Sequence, residues 1–209
     1  METTDIDSVS ALYTAGVQAV ATTANRMDGA AWSEPACGEW DATDTLRHLV
    51  AVVDWYHQWL DRAANGDSSI PFTEDEFAVR NSAGIERYRD LDGPTALLQF
   101  ERRANDYLEL AIPEWERPFG YPGGVVTVGL HCGIAATEWH LHAWDLSTVR
   151  GPLHEPKRAN ELMVAAANAI AASKGGLHGK VIGLAVPFAA KRAPWKRLLT
   201  ESGRNYGGK

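Results

Sequence analysis

Apolar residues recur along this chain at the three- and four-residue spacings of amphipathic helices, and they predict four main helices. The first runs from about Asp5 to Met27 on a stripe of Val9, Leu12, Tyr13, Gly16, Val17 and Val20, and stops at Asp28-Gly29. A loop broken by Pro35 and Gly38 leads to Asp41, a helix N-cap with Asp44 in the place of a capping-box acid. The second helix extends from Ala42 to Ala64 and ends before Asn65-Gly66. A short helix begins near Thr73, Pro94 opens another that reaches Leu110, and Pro113 through Gly124 reads as a connection of turns. From Thr127 to Val149 the apolar residues fall on nearly every side of the helical wheel, the mark of a helix buried all round. Beyond Arg150 the pattern predicts an Ala-rich helix over Lys157 to Ser173, a strand over Lys180 to Pro187, a short helix over Pro194 to Ser202 and a frayed tail from Asn205. The fold class is therefore mostly α: a four-helix bundle over residues 1–150 with a short α/β extension, helix-strand-helix, over 151–209.

The polar residues on the buried helix carry the candidate chemistry. Glu138 and His142 stand four apart and share one face, and His131 and Asp145, seven before and seven after Glu138, lie within about 20° of the same stripe. On the second helix Asp44, His48, Val52, Trp55 and Trp59 follow one face, with His48 the polar exception on an apolar stripe. An ionised Glu in a core needs a cation or donors to offset its desolvation. On the later helix alone, either a metal ion or a hydrogen-bonded Glu–His pair meets that need. With His48 as a third donor the set becomes two imidazoles and one carboxylate, which suits zinc in an open site, while iron or manganese also accept it. Asp44 and Asp145 are then placed to hold the ligand imidazoles by their other N–H groups. His131 either lines the pocket or closes the site as a fourth ligand. His57 is out of phase with His48, and His140 points to a different side of its helix.

Composition narrows the partners. The 209 residues are 45% hydrophobic and 22% charged, enough for a real core, and the net charge of −7 with no basic cluster argues against nucleic acid. Cys37 and Cys132 form no CxxC pair, no stretch approaches the ~18 apolar residues of a membrane span, and the start carries no signal-like run. These features predict a cytoplasmic protein, monomer or homodimer, acting on small molecules. No phosphate-binding glycine loop and no nucleophile elbow occurs.

Pro35-Ala36-Cys37-Gly38-Glu39-Trp40, then Asp44, His48-Leu49 and, much later, Glu138-x-x-x-His142-Ala143-Trp144-Asp145-Leu146 resemble, in that order, the mycothiol-dependent maleylpyruvate isomerase family. That family belongs with the DinB-like metal-binding helical bundles, and the resemblance spans roughly the first 150 residues. It implies zinc on His48, Glu138 and His142 and mycothiol, a low-molecular-weight thiol, as cosubstrate. Arg197-Leu-Leu-Thr-Glu-Ser-Gly203-Arg204 resembles the family's closing Leu-Leu-x-x-x-Gly-Arg pattern, which implies Arg204 as the arginine that meets a dicarboxylate. The expected activity is isomerisation or thiol S-transfer on a small electrophile through a zinc-activated thiolate. Cys37 and Cys132, with no basic neighbour at a motif spacing, are expected to pack rather than react. The alternatives are a noncatalytic metal-binding or ligand-sensing bundle and a metal-free bundle with a buried Glu/His network.

Overall fold

Side-chain caps set the helix starts, and the starts fix which faces turn inward. In the computed structural model, which describes residues 5–173 and 193–204, Asp5 accepts the Ser8 N–H at 3.0 Å and opens α1 (Ile6–Ala24). Asp41 accepts the Asp44 N–H at 2.7 Å and opens α2 (Ala42–Ala64), the span predicted. The Thr73 N–H donates to the Glu76 carboxylate at 2.8 Å ahead of α3 (Phe77–Arg87), and Asp92, with Pro94 in the first turn, opens α4 (Gly93–Ala111). Thr127 caps α5 (Val128–Ser147). Two further helices, α6 (Ala159–Ser173) and α7 (Pro194–Glu201), complete the described set.

Two segments expected as loops are short antiparallel ribbons. β1 (Pro35–Cys37) pairs with β2 (Trp40–Asp41) around Gly38, whose φ of +59° favours glycine at the turn. β3 (Pro118–Tyr121) pairs with β4 (Gly124–Thr127), with Phe119 opposite Val126. Strands of two to four residues are too short for alternation to stand out from turn residues. The predicted strand over Lys180 to Pro187 and the tail from Asn205 lie outside the described residues.

The bundle is mostly helical, with α5 at its centre. α1 packs along α5, α2 along α4, and α6 covers another side of α5 and is itself contacted by α7. Trp139 of α5 is fully buried, its ring meeting Phe100 at 5.0 Å, Tyr56 at 5.8 Å and Tyr13 at 5.9 Å between centroids. Tyr13 satisfies its hydroxyl by donating to the Ala104 carbonyl across the core at 3.0 Å. Asp54 of α2 ties the far side together by accepting from Tyr88 and Arg103. Among the described residues no helix is long and apolar enough to cross a membrane.

Gly16 sets the separation of α1 from α5, because a Cβ there would stand 2.8 Å from Trp139 Cβ and 3.2 Å from the Ala136 carbonyl oxygen. His140, on the same seam, turns away from the stripe of Glu138 and meets His154 with Nδ1 and Nε2 2.8 Å apart and rings stacked at 5.1 Å. Burial pushes the pKa of both down to about 4, with His154 adding to the effect on His140 and Arg26 to that on His154.

Two predictions follow from this packing. Gly16→Val should lower stability by about 1–3 kcal/mol through overpacking, read as a lower urea midpoint at unchanged slope. The folded histidine pair binds protons less readily than free imidazole does, so its stability contribution is complete above pH 6.5 and is lost as pH falls toward 4. Thermal melts of His140→Gln/His154→Gln should therefore show a shallower decline over that window than those of the parent chain.

Candidate metal and substrate site

Two helix faces line one cavity of about 420 Å³. From α2 come His48, Val52, Trp55 and Trp59, the face that the sequence predicts, joined by Tyr56; from α5 come His131, Ile134 and Glu138 at spacings of three and four. α3 adds Phe77 and Asn81, the second ribbon adds Tyr121 and Pro122 at its tip, and Ser202 reaches in from just beyond α7.

At one end of the cavity three donors gather. The His48 ring lies 4.7 Å from the Trp40 ring and 5.1 Å from the His142 ring, the two imidazoles edge to face at 64°. Glu138 Oε2 stands 3.7 Å from His142 Nε2, and the Glu138 side chain, 28% exposed, keeps contact with the cavity rather than being enclosed. On the opposite edge of His142, Asp145 Oδ2 lies 3.0 Å from Nδ1 at an angle too oblique for a good hydrogen bond, so charge attraction carries the contact. Cys37, brought by β1, also stands beside His142, their ligand atoms within 4.8 Å. Asp145 is almost wholly buried and is forked by Arg204, with Nε donating to Oδ1 at 2.7 Å and Nη2 to Oδ2 at 2.6 Å.

The electrostatics separate the two imidazoles. Burial lowers the His48 pKa to about 3, helped by His142 and only partly countered by Glu138 and Asp145, so His48 is neutral with a lone pair to give. For His142 burial acts downward too, but contact with Asp145 and Cys37 outweighs it and raises the pKa to about 10. Burial would raise Asp145, yet His142 and Arg204 hold it down at about 2.

The structure brings His48, Glu138, His142, Asp145 and Arg204 into one group, but not Asp44 or all of His131. The Asp44 carboxylate pairs with Arg47 Nη1 at 2.8 Å, and Arg47 in turn satisfies the carbonyls of Arg89 and Leu91 ahead of α4. His48 Nδ1 is accordingly buried with no hydrogen-bond partner among the described residues, so Asp44 does not hold the imidazole. His131 lines the far end of the cavity, with Nδ1 2.9 Å from the Tyr107 hydroxyl and its ring 4.2 Å from Phe119. Eleven residues of helix separate it from His142, about 16 Å of axial rise, which rules it out as a fourth ligand to the same ion. Arg204 is no surface residue: its side chain is 15% exposed and its fork is taken up by Asp145.

Sequence reasoning missed Cys37, which with His142 and Asp145 forms a group whose ligand atoms all lie within 4.8 Å of one another. Its place three residues before Trp40 was the available signal, since one ribbon delivers the thiol to His142 and the indole to His48. Cys132 does pack as expected, fully buried, its thiol pushed up to about 12.

By donor type His48, Glu138 and His142 suit a divalent metal, and an ion would draw them closer than they stand, since their ligand atoms do not all lie within 4.8 Å of one another. The partnerless Nδ1 of neutral His48 is the kind of buried polar atom that a ligand would satisfy, and two imidazoles with one carboxylate match an open zinc or iron site. The tighter Cys37–His142–Asp145 group fits less well, because Arg204 already occupies both oxygens of Asp145.

A family model, the mycothiol maleylpyruvate isomerase N-terminal domain, matches residues 13–147. No curated protein matches the chain. Among solved structures, that of the mycothiol-dependent maleylpyruvate isomerase is 15% identical at a TM-score of 0.64, the match covering 80% of this chain and 71% of that one. A histidine-to-alanine mutant of that isomerase is 14% identical with the same TM-score and coverage. At such identity the structures speak for a shared fold, and the match over residues 13–147 speaks for descent: the chain belongs to the mycothiol maleylpyruvate isomerase N-terminal domain family.

Proposed function

We propose that this chain catalyses reaction of mycothiol with a small electrophilic metabolite, as an isomerase or S-transferase, at a divalent metal, zinc by ligand type, held by His48, Glu138 and His142. One observation carries the reading: two imidazoles and a carboxylate from α2 and α5 converge on the end of a cavity of about 420 Å³. A cavity beside the donors favours an open catalytic site over a closed structural one. A bound divalent metal supplies the Lewis acidity that keeps a thiol deprotonated near neutral pH.

The chain's own residues do the rest. Asp145 fixes the ring of His142 from behind, and Arg204 fixes Asp145, so a change at either disturbs the donor group without touching substrate. Trp40 packs on His48 and limits its rotation. The cavity wall holds the electrophile while the sulfur adds to its activated carbon. In an isomerisation the same C–S bond later breaks; in a transfer a leaving group departs with its electron pair. On this reading residues 1–150 form the metal-binding bundle and 151–209 close it by supplying Arg204 and Ser202. A cytoplasmic location suits a reaction that depends on a reduced thiol.

His48→Ala should abolish stoichiometric zinc in purified protein, measured by plasma mass spectrometry, and cut mycothiol-dependent turnover of the electrophile by more than about 100-fold. Equal metal content in parent and variant would remove the site. Metal uptake should also displace the proton that His142 carries below its raised pKa of about 10, whereas His48, at about 3, has none to lose. Calorimetry of zinc binding at pH 7, without thiol, in buffers of different ionisation enthalpy should report about one proton released per ion, with affinity rising as pH rises toward 10.

A further inference from the structure

We propose that the cavity selects an uncharged, flat, unsaturated or aromatic electrophile and discriminates against a dicarboxylate. This rests on the thiol-enzyme reading above and names the substrate class of that same site. Trp55, Tyr56, Trp59, Phe77 and Tyr121 build the wall. Trp55 and Trp59 lie one turn apart on α2, both on the cavity wall, with rings 19° from parallel and centroids 6.3 Å apart, so they offer near-parallel aromatic rings to a flat substrate.

The charges point the same way. Among the described residues no lysine or arginine lines the cavity, and Glu138 is the carboxylate that does. Arg204, the cation nearest the donors, has its fork filled by Asp145 at 2.7 and 2.6 Å. Arg80 on α3 is held by Glu76 at 3.0 Å and sits 4.4 Å over the Phe72 ring, outside the lining. Glu138 and a mycothiol thiolate together cancel the two charges of a divalent metal. A dianionic substrate would then bring two carboxylates against aromatic faces and a like charge, a desolvation that no cation among the described lining residues offsets. A neutral polar substituent is served better. Asn81 Oδ1 is buried without a hydrogen-bond partner among the described residues, and the amide can turn to donate to a nitro or carbonyl oxygen.

In the reaction that tests this, the thiolate sulfur bonds to the ring carbon of 1-chloro-2,4-dinitrobenzene, the C–Cl bond breaks, chloride leaves with the electron pair, and the thiol proton passes to solvent. The zinc-loaded full chain is assayed with mycothiol against this probe and against maleylpyruvate. Binding is read separately, by tryptophan quenching with unreactive 1,3-dinitrobenzene and its displacement by maleate. The expected result is saturable quenching that maleate does not reverse, and kcat/KM for the aryl chloride at least about 100-fold above that for maleylpyruvate. Trp59→Ala should raise KM for the aryl chloride about 10-fold with kcat little changed, and Asn81→Arg should shift preference toward maleylpyruvate. Equal or faster mycothiol-dependent turnover of maleylpyruvate by the parent chain overturns the substrate class while supporting the thiol enzyme, and displacement by maleate overturns the substrate class whatever the turnover. Saturable quenching with no thiol reaction on either compound supports the class and overturns the proposed function. Absence of both quenching and reaction overturns both.

Discussion

α5 is enclosed on every side, and that enclosure dictates how each polar side chain on it is used. A helix buried all round has no solvent-facing stripe on which to put a carboxylate or an imidazole, so each must be met from another element. The solutions differ along its length. His131 meets the Tyr107 hydroxyl, His140 meets His154, and Asp145 is answered by Arg204 from 59 residues later in the chain. Glu138 and His142 differ from these. They stand 3.7 Å apart at a cavity end, next to an imidazole from α2 whose Nδ1 has no partner among the described residues. Where His131, His140 and Asp145 are each met from another element, this end leaves capacity for a ligand.

Periodicity made the bundle legible because each main helix has a long apolar stripe and most have a side-chain cap. α2 was readable to the residue, from Asp41 at its start to Asn65 at its end. His48 stood out as a polar break in an apolar face, and Glu138 with His142 as a four-residue pair on a helix with no polar side. Asp44 was not readable, because one turn of spacing serves a ring N–H or an arginine equally, and Arg47 was close enough to win. His131 shows the limit of phase arguments: in register around the helix, it lies about 16 Å along the axis from His142. Cys37 and the two ribbons escaped because two to four residues carry no period, and only the tertiary return of β1 onto α5 gives the thiol its neighbour.

The bundle and the C-terminal segment are coupled through one buried charge. Asp145 is 3% exposed, and a carboxylate at that depth without a cation would protonate or destabilise the core. His142 alone is an incomplete answer, since a metal held by His142, as proposed, would take the place of the proton that gives the ring its positive charge. Arg204 is the permanent counter-charge that lets Asp145 stay ionised in either state of His142. The arginine's position behind the donors, with its fork occupied, therefore follows from the electrostatics of the buried helix. The same ion pair that backs His142 occupies the fork of Arg204, so on the proposed reading support of the donors and discrimination against a dicarboxylate would share one cause.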